Sequence, residues 1–138
     1  MVRVAINGFG RIGRMVLRIG LDNPAIEFVA CNDLTDKKTL AHLFKYDSAQ
    51  GTFPGEVYET ENGICVNGKE ILVLAEKDPK HLPWQDLNID VVIESTGRFR
   101  TKEKMQPHLD AGAKKVILSA PAKGDGVPTF VLGVNEHD

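Results

Sequence analysis

Val2-Arg3-Val4-Ala5-Ile6-Asn7-Gly8-Phe9-Gly10-Arg11-Ile12-Gly13 runs from a short apolar stretch through a glycine turn into a helical pattern. Val2, Val4 and Ile6 alternate and only Arg3 is charged, the period of a strand. Beyond the turn, Ile12, Met15, Val16 and Ile19 recur at the spacing of one helical face, which is expected to be buried. The glycines between have separate tasks: Gly8 permits a tight turn, Gly10 lets the backbone approach a pyrophosphate, and Gly13 allows close helix–strand packing. Free N–H groups near Arg11 and Ile12 then face an anion at the favourable end of the helix dipole. A second strand, Phe28-Val29-Ala30-Cys31-Asn32, ends at Asp33, about 20 residues past the turn, where a carboxylate takes a ribose hydroxyl. Strand, turn, helix, strand and acid in this order point to a dinucleotide site.

Working outward, Thr35 or Asp36 opens a second helix with Leu40, Leu43 and Phe44 on one face, and a polar loop, Asp47 to Pro54, ends it. From Val57 to Leu74 the period becomes two, with Asn62-Gly63 and Asn67-Gly68 as turns that tolerate positive φ. This predicts a small antiparallel meander inserted in the α/β pattern. After a Pro-bearing connector, Asp78 to Trp84, the run Val91-Val92-Ile93 suits a parallel strand covered on both faces. It ends in Glu94-Ser95-Thr96-Gly97, at the edge where doubly wound sheets bind ligands. A helix follows from about Lys102, capped by Thr101, with Met105 and Leu109 inward and Gly112 as its stop. Val116-Ile117-Leu118 leads to Ser119-Ala120-Pro121 on the same edge; a loop, Lys123 to Val127, and a strand, Thr129 to Leu132, complete the pattern. The expected fold class is α/β: a doubly wound, mostly parallel Rossmann-type sheet with a small antiparallel meander insertion.

The 138 residues fit one domain, with 42% hydrophobic and 26% charged residues and a formal net charge of −2. Basic residues are spread along the chain, so no nucleic-acid footprint is expected. No apolar run approaches bilayer length, so no membrane association is expected either. Cys31 and Cys65 make no recognised spacing and read as inert packing in a reduced, cytoplasmic setting. His42, His81, His108 and His137 are scattered without metal-ligand spacing, so no metal site is expected. Arg11, Arg14 and Arg18 read as a solvated outer helical face. Glu94 reads as a structural hydrogen-bonding group rather than an acid–base catalyst.

These pieces resemble the amino-terminal part of the glyceraldehyde-3-phosphate dehydrogenases. The strings that carry the resemblance are Ala5 to Arg14, Asn32-Asp33-Leu34-Thr35, Leu43-Phe44-Lys45-Tyr46-Asp47-Ser48, Phe53-Pro54-Gly55, Glu94 to Gly97, Ser119-Ala120-Pro121 and Gly133-Val134-Asn135. The resemblance implies NAD as cofactor, bound by Gly8, Phe9, Gly10, Arg11, Ile12, Gly13, Asn32, Asp33, Lys77, Thr96, Gly97 and Ser119. Within that set Lys77 lies at the adenine rim and Ser119 near the nicotinamide ribose, while the Asp33 charge favours NAD over NADP. The resemblance also implies a homo-oligomer, the family's tetramer, and a place in glycolysis. The family's nucleophilic cysteine belongs to a Ser-Cys-Thr-Thr-Asn string that these residues do not contain, and its histidine partner lies further on. No catalytic residue is therefore expected here, and residues 1–138 are read as an incomplete dinucleotide-binding domain whose catalytic domain is absent. Two alternatives are a relative acting on erythrose 4-phosphate, and a stand-alone nucleotide-binding or interaction module.

Overall fold

The computed structural model describes residues 1–47, 51–99 and 101–119. In chain order the elements are β1 (Val2–Asn7), α1 (Arg11–Gly20), β2 (Ile26–Asn32), α2 (Lys37–Lys45), β3 (Tyr46–Asp47), β4 (Gly51–Thr52), β5 (Val57–Glu59), β6 (Gly63–Val66), β7 (Lys69–Leu74), β8 (Val91–Glu94), α3 (Lys102–Asp110) and β9 (Lys115–Leu118). A 3₁₀ turn, Pro79–His81, precedes the long connector into β8.

Seven strands form one sheet in the order β5-β6-β7-β2-β1-β8-β9. β7, β2, β1, β8 and β9 run parallel, while β5, β6 and β7 pair antiparallel. The chain therefore winds outward from β1 through β2 to β7, then returns to the other side of β1 with β8. That reversal opens a crevice at the carboxyl ends of the strands. The meander does not stand apart from this sheet. Its last strand lies against β2, with Ala30 opposite Leu72 and Asn32 opposite Leu74, so it widens the sheet instead of interrupting it.

Alternation along the central strands builds one core on each face. Ile6 packs with Cys31 and Ile93 on the side that receives Leu17 of α1 and Leu40 and Phe44 of α2. Ala5, Ala30 and Val92 face the other way, where small side chains leave room for the fully buried Trp84. Asp36 caps α2 by accepting the Thr39 N–H, and Thr101 caps α3 by accepting that of Lys104.

Several local expectations are corrected. Ile12 and Ile19 are 44% and 76% exposed; α1 buries Gly13 and Leu17 instead. Glycine decides that rotation, because a Cβ at Gly13 would stand 2.4 Å from the Gly8 carbonyl oxygen. α3 turns His108 inward with Met105 and leaves Leu109 partly exposed, since His108 has buried hydrogen-bonding partners. Asn67 and Gly68 do form the positive-φ turn, but Asn62-Gly63 does not. Gly63 opens β6, where any Cβ would collide with the Ile71 carbonyl, and the Thr60 hydroxyl closes that corner by accepting the Gly63 N–H. The loop after α2 holds the short β3–β4 hairpin, and its Phe53 is buried against Phe44. Arg18 is not a solvated charge. Its guanidinium donates to the carbonyls of Phe44 and Gly51 and lies over the Phe44 and Phe53 rings. Ala120-Pro121, the Lys123–Val127 loop, the Thr129–Leu132 strand and Gly133-Val134-Asn135 lie outside the described residues, as does Ser48.

Among the described residues, no helix is long and apolar enough to cross a membrane. Nor does any group of three or more His, Cys, Asp or Glu side chains among them meet in a way that could hold a metal ion.

Candidate functional site

The glycine turn after β1 is shaped by contacts that only glycine permits. Gly8 has φ +93°, donates its N–H to the Asn32 carbonyl, and would place a Cβ 2.7 Å from the Thr96 nitrogen. A Cβ on Gly10 would meet nothing within 4 Å, so this backbone lies open on one side. Gly10 is also the cap position of α1, and no side chain caps the helix there. The first-turn N–H groups of a helix without a cap seek an external acceptor, and the helix dipole favours an anionic one. Together these fit a phosphate group.

Asp33 closes the turn from the β2 side. Its Oδ2 accepts the Phe9 N–H at 2.8 Å and its Oδ1 accepts the Thr35 N–H at 2.9 Å. An ionised carboxylate offers about four acceptor positions, so roughly two remain for hydroxyl donors. Phe9 serves through its backbone alone, since its ring is buried and stacks on Phe44 at 6.0 Å. Asn32 spends its amide inside the protein. Nδ2 donates to Asn7 Oδ1 and the Glu76 carbonyl, and Oδ1 accepts the Glu76 N–H, all at 2.8 Å. That clamp carries Glu76 and Lys77 to the wall of the crevice.

The cleft so formed encloses about 280 Å³. Gly8, Gly10, Asn32, Asp33, Lys77 and Thr96 all line it. Gly13 lies beneath, against Gly8, while Arg11 and Ile12 are exposed at the start of α1. Gly97, at φ +78°, sits in the turn after β8 without lining the cleft. Ser119 follows β9 and donates its hydroxyl to the Glu94 carbonyl at 3.1 Å, outside the lining as well. The structure adds Asn7, Leu34, Thr35, Glu76, Ser95, Arg98 and Phe99 to the walls. Asn7, Leu34, Thr35 and Ser95 had a signal, since each belongs to a string that carries the resemblance, whereas Phe99 belongs to none. Glu76 and Arg98 had none.

Below the floor lies a buried polar cluster. Glu94 is wholly buried. It accepts from His108 Nε2 at 2.7 Å, Asn7 Nδ2 at 2.6 Å, and the Thr96 N–H and O–H at 3.1 and 2.6 Å. Burial alone raises the Glu94 carboxyl's pKa, but the hydrogen bonds from His108, Thr96 and Asn7 outweigh it and hold the group below its ordinary 4.5. The expected structural role thus has named partners, of which the sequence pattern singled out Thr96 but not His108. Cys31, beside Asp33, is driven the other way. Burial, with the Asp33 charge added, pushes its thiol up to about 12, so it stays protonated and unreactive at neutral pH.

A family model described as the NAD binding domain of glyceraldehyde 3-phosphate dehydrogenase matches residues 2–102. The chain belongs to this family. It is 64% identical over 138 residues to glyceraldehyde-3-phosphate dehydrogenase of Thermotoga maritima, an alignment covering 99% of the chain and 41% of that protein. It is 59% identical to the Clostridium acetobutylicum enzyme, covering 100% and 41%, and 58% identical to that of Geobacillus stearothermophilus, covering 98% and 40%. The chain therefore spans about two fifths of the length of these relatives. The turn, acid and crevice described above all lie inside the matched residues of the NAD-binding domain family.

Proposed function

We propose that this chain binds NAD and forms the cofactor-binding part of a phosphorylating glyceraldehyde-3-phosphate dehydrogenase. The observation that carries this reading is the uncapped α1 N-terminus beside the open backbone of Gly10, set against Asp33 with acceptor positions to spare. First-turn N–H groups near Arg11 and Ile12 hold the pyrophosphate, and Asp33 takes the adenosine ribose hydroxyls. Lys77 lies at the adenine rim, Thr96 and Gly97 border the cofactor, and Ser119 serves the nicotinamide ribose. Asp33 repels a 2′-phosphate and so selects NAD over NADP. NAD, when bound, supplies the hydride acceptor. The family's thioester chemistry rests on a Ser-Cys-Thr-Thr-Asn string outside these residues, so the 138-residue polypeptide by itself binds cofactor without turnover. Relatives named for glyceraldehyde 3-phosphate favour that aldehyde over erythrose 4-phosphate. We further propose a cytoplasmic setting and a homo-oligomeric whole, as the family resemblance implies.

Calorimetry and thermal shift with NAD test this reading. A ligand held only by the folded state adds RT ln(1 + [L]/Kd), about 2.7 kcal/mol at a hundredfold excess over Kd. Millimolar NAD is therefore expected to raise Tm measurably. Folded protein that shows neither heat nor a shift at that concentration sinks the proposal.

A further inference from the structure

The protons around Glu94 all point one way. An indole N–H can only donate, and that of Trp84 meets His108 Nδ1 at 3.0 Å, so Nδ1 carries no proton. The ring proton therefore sits on Nε2, which donates to Glu94 Oε2. On the other side, the Glu76 backbone fixes the Asn32 amide, because its N–H must face Asn32 Oδ1 and its carbonyl must face Nδ2. Asn32 then donates to Asn7 Oδ1, which turns the Asn7 nitrogen toward Glu94 Oε2. Thr96 supplies the remaining two donors, to Oε1. Four donors converge on two oxygens, leaving no place for a carboxyl proton. Among the described residues Glu94 has no Lys or Arg partner, and His108 is its sole ion-pair neighbour. Because Nδ1 is bare, that ring is neutral, and oriented donors alone compensate the buried charge.

The consequence reaches the cleft through Thr96. Its single hydroxyl proton is spent on Glu94, and one lone pair receives the Arg98 N–H at 3.0 Å. Toward the cleft Thr96 has only an acceptor to offer. The same carboxylate ties the turn after β8 to Asn7, and Ser95 adds a hydroxyl bond to the Gly8 carbonyl at 2.6 Å. We propose that Glu94 is a positioning residue for the cleft: it fixes Thr96 as an acceptor, locks the two turns together, and so sets nucleotide affinity without touching the nucleotide. This rests on the NAD reading above.

Glu94→Gln separates the roles. A glutamine has one acceptor oxygen. With that oxygen toward His108 and Asn7, its NH₂ faces Thr96, whose hydroxyl must then accept and release its proton toward the cleft. Calorimetry with NAD at low temperature, on protein shown to be folded by circular dichroism, compares wild type, Glu94→Gln, Thr96→Val, Thr96→Ser and the Glu94→Gln/Thr96→Val double variant. Glu94→Gln and Thr96→Val are each expected to weaken NAD about tenfold or more, the scale of one hydrogen bond, while Thr96→Ser stays within about threefold. The double variant is expected to lose less than the product of the two, as coupled sites do. A folded Glu94→Gln protein with wild-type Kd, or losses that simply multiply, overturns the proposal. Should Glu94→Gln fail to fold, the Thr96 pair and nitrogen NMR of wild-type His108 decide. A ring protonated at Nε2 alone is expected, together with loss in Thr96→Val and retention in Thr96→Ser. A proton on Nδ1, or equal affinity in both Thr96 variants, overturns it. A wild-type chain that binds no NAD rejects the underlying cofactor reading and this proposal with it, whereas the outcomes above reject this proposal alone.

Discussion

Asp33 holds the glycine turn with the same oxygens that face the cleft, so its charge and its acceptor capacity are separable only by the right substitutions. Asp33→Ala strips the Phe9 and Thr35 N–H groups of their acceptor and is expected to weaken NAD by about 1.5–3 kcal/mol, the worth of a charged hydrogen bond. Asp33→Asn keeps an acceptor but loses the charge. It is expected to weaken NAD less while narrowing the gap between NAD and NADP, which paired titrations with both cofactors measure. An unchanged NAD/NADP ratio in both variants would remove Asp33 from the specificity argument. Glu94 leaves its mark on stability as well as on the cleft. A carboxyl held below its ordinary 4.5 contributes stability that is complete above that pH and is lost as pH falls through the lower folded-state value. Glu94→Gln is therefore expected to cost about 1.5–3 kcal/mol at neutral pH, with the difference from wild type shrinking below pH 4.5. Melting curves from neutral to strongly acidic solution check the sign; a difference that grows in acid would contradict an ionised Glu94.

At the level of elements, α1 sits on its glycines. Two alanine substitutions are expected to act in opposite senses. Gly13→Ala drives a Cβ into the Gly8 carbonyl at 2.4 Å, a backbone contact that cannot swing aside, and is expected to cost about 1–3 kcal/mol as overpacking does. Gly10→Ala meets no protein atom within 4 Å, so stability is expected to hold within about 0.5 kcal/mol while NAD affinity falls. Denaturant melts and NAD titrations on the pair test this; equal effects on both readouts would mean the two positions are not divided in this way. The same element shows what could and could not be read from the chain. The turn was legible because glycines at fixed offsets between two patterned segments have few structural meanings. The buried face was not, because Ile12 and Ile19 carry the hydropathy signal whereas the seat is made by Gly13, which carries none. In α3, Leu109 looked like core for the same reason. His108 could be placed only through Glu94 and Trp84, which lie far from it along the chain and leave no local pattern.

Across the whole molecule, the parallel sheet and its ligand edge were legible from the order of strands and helices. The seat of the meander was not, since pairing of β7 with β2 joins Ala30 to Leu72 and nothing near either residue announces it. Exposed apolar side chains remain: Ile12 and Ile19 on α1, and Ile117, 53% exposed, on β9. Reburial of such surface is favourable by about 25 cal/mol per Å². The 138-residue chain is accordingly expected to self-associate, and light scattering across micromolar concentrations should show a mass that rises with concentration. A constant monomer mass with a concentration-independent melt would show that these side chains are tolerated in water. Strand order also bears on how the chain is born. β1 lies inside the sheet, between β2 and β8: Val4 pairs with Phe28 on one flank but with Val91 on the other. On a ribosome adding about 5–20 residues per second, the first flank closes soon after β2 emerges, while the second stays bare for seconds until β8 appears. A naked central strand invites pairing with any other extended chain. Exposure to nascent-chain chaperones is thus written into the order of the strands, whatever the final stability of the fold.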